Sequence, residues 1–254
     1  MLRAQFSVTR RALLALCVAG LMHCTPAIAA SAENDMAIAQ SLAEMLRDAR
    51  AVISNKQDLI NDPQLVDKHL TGEVVLDEAV AKYKKNTGVD PKSIDPGSRQ
   101  GRSLRAMMAA IVEVVEDNQD TINEKGTGFK GFIPAAFARL VAESFVHLAK
   151  GEAEIKVTAP LELVRNRKAR PDPWENEIIE KRLLDAAWPA GQPYSATVET
   201  KGRPAFRVMV PEYYVQSCLA CHGSPKGEMD ITGYPREGGK LNDLGAVISI
   251  TLYH

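Results

Sequence analysis

Cys218-Leu219-Ala220-Cys221-His222, close to the C-terminus, is the stretch around which the rest of this chain is expected to be organised. Two cysteines three positions apart, followed at once by a histidine, are the residues that covalent attachment of a c-type haem requires. Each thiol adds to a haem vinyl group, and the adjacent imidazole binds the iron. The motif therefore predicts one covalent haem c, with Cys218 and Cys221 as thioether anchors and His222 as the proximal iron ligand.

The same cysteine pair has two other interpretations. A structural zinc site needs four ligands, and no second Cys/His pair at ligand spacing follows in the sequence. A disulfide or a thiol–disulfide redox pair would use both cysteines but would give His222 no role. Haem attachment is the preferred interpretation, and a haem-free thiol–disulfide protein is the alternative.

The N-terminus has the three regions of a secretory signal peptide. They are a basic region with Arg3, Arg10 and Arg11, an apolar region over residues 12–22, and small residues at the cleavage position, Ala27-Ile28-Ala29. The apolar region is shorter than the roughly 20 residues that a transmembrane helix needs. We predict cleavage after residue 29, export to the periplasm and no stable membrane span afterwards. Cleavage would remove the other two cysteines, Cys17 and Cys24, and would leave the mature chain with the motif pair alone.

Composition and motifs argue against several other classes of protein. The formal net charge of -1 disfavours nucleic acid as a partner, because binding phosphates needs a basic surface. The sequence contains no Gly-rich phosphate loop, no nucleophile motif and no metal-hydrolase spacing. We therefore do not predict an enzyme.

Hydrophobic periodicity predicts helices first and a small antiparallel sheet afterwards. The predicted helices cover residues 33–61, 74–85, 102–124, 133–150 and 172–187, and the predicted strands cover residues 155–158, 194–200, 205–210 and 246–252. Residues 91–101 are rich in Pro, Gly and Ser and indicate a linker or exposed loop. The fold class is thus α+β, with a signal peptide (1–29), an N-terminal helical extension (30–98) and a main domain (99–254).

Two predicted helices end in a similar way. Gln57-Asp58-Leu59-Ile60-Asn61 closes the first, and Gln119-Asp120-Thr121-Ile122-Asn123 closes the third. The similarity indicates either a duplicated helical unit or a coincidence over five positions.

Several separated segments resemble the Tll0287-like haem domain, also known as DUF3365. Around the cysteine motif these are residues 209–227, 233–234 and 244–250, and upstream they are Phe129–Ala135, Val164–Arg167 and Asp172–Glu175. The resemblance covers about residue 102 to the end. It implies a PAS-like fold, one covalent haem c and a role in redox or small-ligand sensing. Many relatives are the extracytoplasmic sensor of a kinase or cyclase, whereas no transmembrane helix or signalling output follows Tyr253 and His254 in this sequence. Sensing is therefore expected to need a separate partner.

The sixth position of the iron is left open by the sequence. A vacant site would favour binding of a diatomic gas, whereas a filled site would favour electron transfer or redox sensing. His147 is a possible distal ligand, near the end of a predicted helix. The other candidates are His69, Met107, Met108, Met209 and Met229.

Two further groups of residues are candidates for the surroundings of the haem. Basic side chains could pair with its two propionates, and aromatic side chains could line its pocket. The basic candidates are Arg165, Arg167, Lys226, Arg236 and Lys240, and the aromatic candidates are Trp174, Tyr213 and Tyr214. The predicted function is a periplasmic haem sensor of redox state or of a diatomic gas, and the alternative is an electron-transfer cytochrome c with a redox partner protein.

Overall fold

The computed structural model describes residues 26–254, with side chains from residue 31 onward. The predicted signal peptide, residues 1–29, lies outside the described residues apart from its last four positions, which begin the first helix. Within residues 26–254, no helix has the length and apolar character that crossing a membrane requires.

Eight α-helices and four strands, connected by loops with short 3₁₀ and π turns, form the described part of the chain. The helices are α1 (Pro26–Asn55), α2 (Gln57–Ile60), α3 (Gly72–Thr87), α4 (Arg99–Asp117), α5 (Gln119–Ile122), α6 (Pro134–Leu148), α7 (Pro173–Ile178) and α8 (Leu219–His222). The strands are β1 (Ala153–Thr158), β2 (Tyr194–Thr200), β3 (Arg203–Tyr213) and β4 (Leu244–Tyr253). Helices come first and the sheet follows, so the α+β prediction is confirmed.

The four strands form one antiparallel sheet in the order β1-β4-β3-β2. Side chains alternate between its two faces. One face packs on α1 and α6, and α4 packs against these two helices. Leu42, Leu46 and Phe137 from the helices share a core with Val208 and Ile250 from the sheet. This core also includes residues of α3, so helices on both sides of residue 98 contribute to it.

The opposite face of the sheet carries a smaller apolar cluster beneath α7. Met209 and Val247 from the sheet pack there against Ile179 and Leu183. Asp172 caps the start of α7, because its Oδ1 accepts a hydrogen bond from the Glu175 backbone N–H at 2.8 Å. The sheet is therefore covered on both faces, and its ends are left for loops.

The structure corrects the ends of three predicted helices. The helices predicted over 33–61 and 102–124 are interrupted at Lys56 and Asn118, before their last turns. In both cases the glutamine after the interruption donates its side-chain amide to the carbonyl four residues earlier, at 3.1 and 3.0 Å. A regular helix would use that carbonyl for a backbone hydrogen bond, so the side chain competes with the helix.

The helix predicted over 172–187 is also shorter than expected. Its α-helical part ends at Ile178, and a π-helical turn follows over Ile179–Leu183. The side chain of Asp185 then accepts the Ala187 backbone N–H at 2.9 Å and turns the chain away.

Each of the two similar helix ends is hydrogen-bonded to the loop that follows the other one. Asn61 Oδ1 accepts the backbone N–H of Lys130 at 3.1 Å, and Asn123 Oδ1 accepts the backbone N–H of Lys68 at 3.0 Å. Each asparagine thus holds the loop that follows the other helix end. These reciprocal contacts favour the interpretation of the similarity as a duplicated helical unit.

The glutamines of the two helix ends make equivalent contacts, because each is hydrogen-bonded to the loop that follows the other helix end. Gln57 Nε2 donates to the carbonyl of Phe132 at 3.1 Å, and Gln119 Nε2 donates to the carbonyl of Leu70 at 3.0 Å. Both carbonyls belong to largely buried residues, so the amides satisfy acceptors that water reaches poorly.

We expect Asn61→Ala and Asn123→Ala to reduce the free energy of unfolding by similar amounts, about 1–3 kcal/mol each. Each substitution leaves one buried backbone N–H, that of Lys130 or of Lys68, without its acceptor. Urea denaturation followed by circular dichroism measures the loss. The exposed Asn55→Ala serves as control and should change the value by less than about 0.5 kcal/mol. Two very unequal losses would contradict the equivalence of the two units.

Candidate functional site

The cysteine motif lies in the long connection from β3 to β4, residues 214–243, which is called the motif loop here. Backbone hydrogen bonds between Tyr214 and both Asp243 and Asn242, each 2.9 Å long, close its base. The loop therefore projects from one end of the sheet. The loop begins at the end of β3 and returns at the start of β4, and the pairing of these two long strands fixes the positions of both loop ends.

Cys218 and Cys221 occupy successive turns of this loop. Cys218 ends a 3₁₀ turn, and Cys221 belongs to α8, which ends at His222. Both thiols are partly exposed and unbridged. Burial raises the pKa of the Cys221 thiol, and the negative charge of Asp230 adds to the increase. The motif thus presents two unbridged thiols on one short helical segment.

The imidazole of His222 is fixed by two neighbours. Its Nδ1 lies 2.9 Å from Glu237 Oε2, and its ring stacks on Tyr214 with 5.1 Å between centroids. A carboxylate only accepts hydrogen bonds, so Nδ1 carries a proton, and in the neutral imidazole Nε2 keeps its lone pair. Nε2 is therefore the atom of His222 that is able to bind a metal.

Tyr214 reaches this stacking position because two glycines make room for it. A Cβ atom on Gly245 would lie 2.1 Å from the Tyr214 ring, and one on Gly239 would lie 2.6 Å from it. Burial raises the pKa of Tyr214 to about 12, so its hydroxyl stays protonated. This hydroxyl and Arg236 Nε are both buried and have no hydrogen-bond partner among the described residues. They are donors available to a bound group.

Arg165 connects the acidic residues of the motif loop. Its guanidinium donates from Nε to Glu237 Oε1 at 2.7 Å and from Nη2 to Glu237 Oε2 at 3.0 Å. It also donates to Asp230 Oδ2 at 2.6 Å and to the carbonyl of Cys221 at 3.0 Å. One side chain from outside the loop thus fixes the motif and both acids.

The pKa values in this network follow from these contacts. Burial alone would raise the pKa of Glu237, but the hydrogen bonds from Arg165 and the neighbouring His222 lower it overall. Burial is likewise outweighed at Asp230, whose pKa is lowered by hydrogen bonds from Thr232 and Arg165. The two carboxylates in turn raise the pKa of Arg165 against the effect of burial. All three groups are therefore charged at neutral pH.

Glu237 and Asp230 were not among the residues predicted from the sequence. Acidic residues in a loop have no spacing that relates them to a cysteine motif. Arg165 was a candidate partner of a haem propionate, and the structure places it against two protein carboxylates instead. Proximity of Arg165 to the motif could be predicted, but its partners could not.

The other basic and aromatic candidates lie at varied places. Arg236 belongs to the motif loop and donates to the Ser224 carbonyl at 3.1 Å, and Lys226 and Lys240 are exposed in the same loop. Arg167 is exposed beside β1. Trp174 lies on α7 beneath Arg207, and the Tyr213 hydroxyl accepts the Gly191 backbone N–H at 3.1 Å. Of the three aromatic candidates, Tyr214 is the one in contact with His222.

The candidates for the sixth iron ligand are spread over the molecule. His147 is exposed on the last turn of α6 and lines a cavity of about 240 Å³ beside β1, together with Arg139 and Lys168. None of the residues lining this cavity belongs to the motif loop. His69 lies in the loop between α2 and α3, where its Nδ1 is 3.2 Å from Asp67.

The methionine candidates differ in burial. Met107 and Met108 are buried in the core of the helical layer, and Met209 is buried under α7. Met229 is 59 % exposed. Of the six candidates for the sixth iron ligand, it is the one that lies in the motif loop. Among these candidates, Met229 is therefore the one that the motif loop itself could supply.

Apolar side chains of the motif loop are unusually exposed. Their exposure ranges from 47 % for Tyr234 to 66 % for Ile231. The set consists of Val215, Met229, Ile231, Tyr234 and Leu241. Exposed apolar surface concentrated in one loop marks a place where a ligand or partner is expected.

These features fit a covalent haem better than a bare metal ion. Across residues 26–254, no three His, Cys, Asp or Glu side chains are arranged to hold a metal ion. Haem brings its own four nitrogen ligands and needs one protein histidine, two thiols and apolar cover. His222, Cys218 and Cys221 would supply the first two requirements, and the apolar residues of the loop would supply the third.

Comparison with known proteins identifies the family. A model of the Tll0287-like family matches residues 30–252. No curated protein and no solved structure matches the chain. The match starts well before residue 102, where the resemblance seen in the sequence begins, so helices α1 and α3 are part of what the family shares. The chain belongs to the Tll0287-like family.

Proposed function

We propose that this protein is a periplasmic single-haem c-type cytochrome that senses redox state or a diatomic gas. The observation that carries the proposal is the state of the motif: two unbridged thiols lie beside a histidine whose Nδ1 is hydrogen-bonded to Glu237. That arrangement leaves Nε2 for iron and both sulfurs for thioether bonds. Family membership supports it.

The bound haem would supply an iron that changes oxidation state and exchanges small ligands. The residues of this chain have separate tasks. Cys218 and Cys221 would anchor the group, His222 would bind the iron, and Tyr214 holds the histidine ring in place. The exposed apolar side chains of the motif loop would exclude water from the group.

The way the motif loop is attached supports a sensing role. Glu212 lies on β3, two residues before the loop, and both Arg47 and Arg50 of α1 bind its carboxylate. Glu212 is buried, so these ion pairs are shielded from water. A shift of the loop would therefore reach α1 through one strand and two ion pairs. We propose that the sheet with its helical cover is a PAS-like domain that passes the signal to a partner protein in this way.

Electron transfer is the second candidate function. The exposure of the apolar side chains in the motif loop favours it, because a haem covered by a thin loop keeps an edge near the surface. An electron carrier needs such an edge to exchange electrons with a redox partner protein.

Absorption spectra of the purified holoprotein show whether the sixth position of the iron is open, and so separate gas sensing from redox sensing and electron transfer. We expect a ferrous high-spin spectrum that shifts on addition of carbon monoxide or nitric oxide if the sixth position is open, as gas sensing requires. A low-spin spectrum that ignores both gases would favour electron transfer or redox sensing, and Met229→Leu and His147→Gln would then show which side chain fills the position. A purified protein without haem absorption would overturn the proposal in favour of a thiol–disulfide protein.

A further inference from the structure

We infer that Glu237 is a positioning residue that orients His222 and lowers the reduction potential of the iron bound there. The inference rests on the proposed function. It assigns a role to a residue that has no place in the cysteine motif, and it predicts that the contact shifts the redox equilibrium toward the ferric form.

The carboxylate of Glu237 is itself held in place. Two hydrogen bonds from Arg165, at 2.7 and 3.0 Å, fix both of its oxygens, and Oε2 then faces His222 Nδ1 at 2.9 Å. Arg165 is in turn fixed by Asp230 and by the Cys221 carbonyl. The orientation of the imidazole is therefore determined by a chain of contacts that begins outside the motif loop.

A carboxylate hydrogen-bonded to a metal-binding histidine changes the ligand. The Nδ1 proton is partly shared with the anion, so Nε2 gains electron density and becomes a stronger donor. Stronger donation stabilises ferric iron relative to ferrous iron. Reduction adds one electron to the iron, here taken from a chemical reductant through mediators, and it needs no proton. A stronger donor therefore makes this one-electron reduction less favourable and lowers the potential.

The charge of Glu237 alone does not account for the expected effect. Its negative charge is balanced in part at a distance by the guanidinium of Arg165, which Glu237 shares with Asp230. The hydrogen bond to Nδ1 is a local contact that Arg165 does not cancel. A carboxylate elsewhere in the loop should therefore affect the potential much less.

A spectroelectrochemical titration of the holoprotein tests the inference. Glu237→Gln should raise the reduction potential relative to the unmodified protein. Glu228→Gln makes the same change of charge at an exposed position in the same loop and should shift it much less. Glu237→Asp keeps the charge but retracts the carboxylate from His222, and it should also raise the potential. Equal shifts for Glu237→Gln and Glu228→Gln would overturn the inference.

Covalent haem content, measured by mass for each variant, separates the possible failures. If the unmodified protein carries no haem, the proposed function fails and the inference falls with it. If the unmodified protein carries haem but the Glu237→Gln variant does not retain it, the reduction potential of the Glu237→Asp variant tests the inference instead. A potential for Glu237→Asp that equals the unmodified value would then overturn the inference while the proposed function stands.

Discussion

Replacing Arg165 with alanine should reduce the free energy of unfolding by about 3 kcal/mol. The substitution leaves the carboxylate of Asp230, whose side chain is 0 % exposed, without its cation, and it also removes both hydrogen bonds to Glu237. An uncompensated buried charge costs far more than the loss of a surface ion pair. Urea denaturation of the haem-free chain measures this loss apart from any effect of haem.

Arg167→Ala is the matched control for this prediction. Arg167 lies two residues further along the same segment and is exposed. Its removal should change the free energy of unfolding by less than about 0.5 kcal/mol. Similar losses for the two variants would mean that the ion pairs of Arg165 do not stabilise the loop.

Arg207→Ala should reduce the free energy of unfolding by a similar amount, through contacts on the face of the sheet that α7 covers. Arg207 is buried on β3 and donates from Nη2 to Asp172 at 2.7 Å and to Glu175 at 3.2 Å. Its guanidinium also lies over the Trp174 ring, 4.3 Å from the centroid. The substitution should cost about 3 kcal/mol, because it removes the ion pairs and the packing beneath α7 together.

Arg203→Ala provides the comparison for Arg207 on the same strand. Arg203 also lies over an aromatic ring, that of Tyr253 at 4.4 Å, but it is exposed. We expect a loss below about 1 kcal/mol in thermal or urea unfolding. If removal of Arg203 were as costly as removal of Arg207, stacking on the ring rather than the buried ion pairs would explain both effects.

The strands were predictable because each is a short run rich in apolar and β-branched residues, bounded by turn residues. The strand predicted over 194–200 has the same ends as β2, and it pairs with β3, the strand predicted over 205–210. The strands predicted over 155–158 and 246–252 are β1 and β4, each slightly longer in the structure. Such runs are local signals, and here tertiary contacts only extend them.

Helix ends were less predictable, because a side chain decides them. The apolar stripe of the first helix continues past Lys56, so periodicity alone predicts a single helix to residue 61. The interruption depends on the amide of Gln57, which binds both the preceding turn and the carbonyl of Phe132. The second of these partners lies 75 positions further along the chain. No local pattern contains such a contact.

The candidate site likewise contains residues that the sequence identifies and residues that only folding brings close to them. Cys218, Cys221 and His222 are adjacent in sequence, and so a motif identifies them. Glu237 meets His222 only because the motif loop folds back and Arg165 holds it there. The spacing of residues within a motif can be read directly, whereas the residues that orient it are found only in the folded chain.

The intact mass of the exported protein, measured under denaturing conditions, tests the central claim most directly. We predict the mass of the polypeptide plus one haem, and the mass of the polypeptide alone for a Cys218→Ala/Cys221→Ala variant. Only covalently attached haem remains with the chain under these conditions. A purified protein with the mass of the bare polypeptide, or of its disulfide form, would contradict the account.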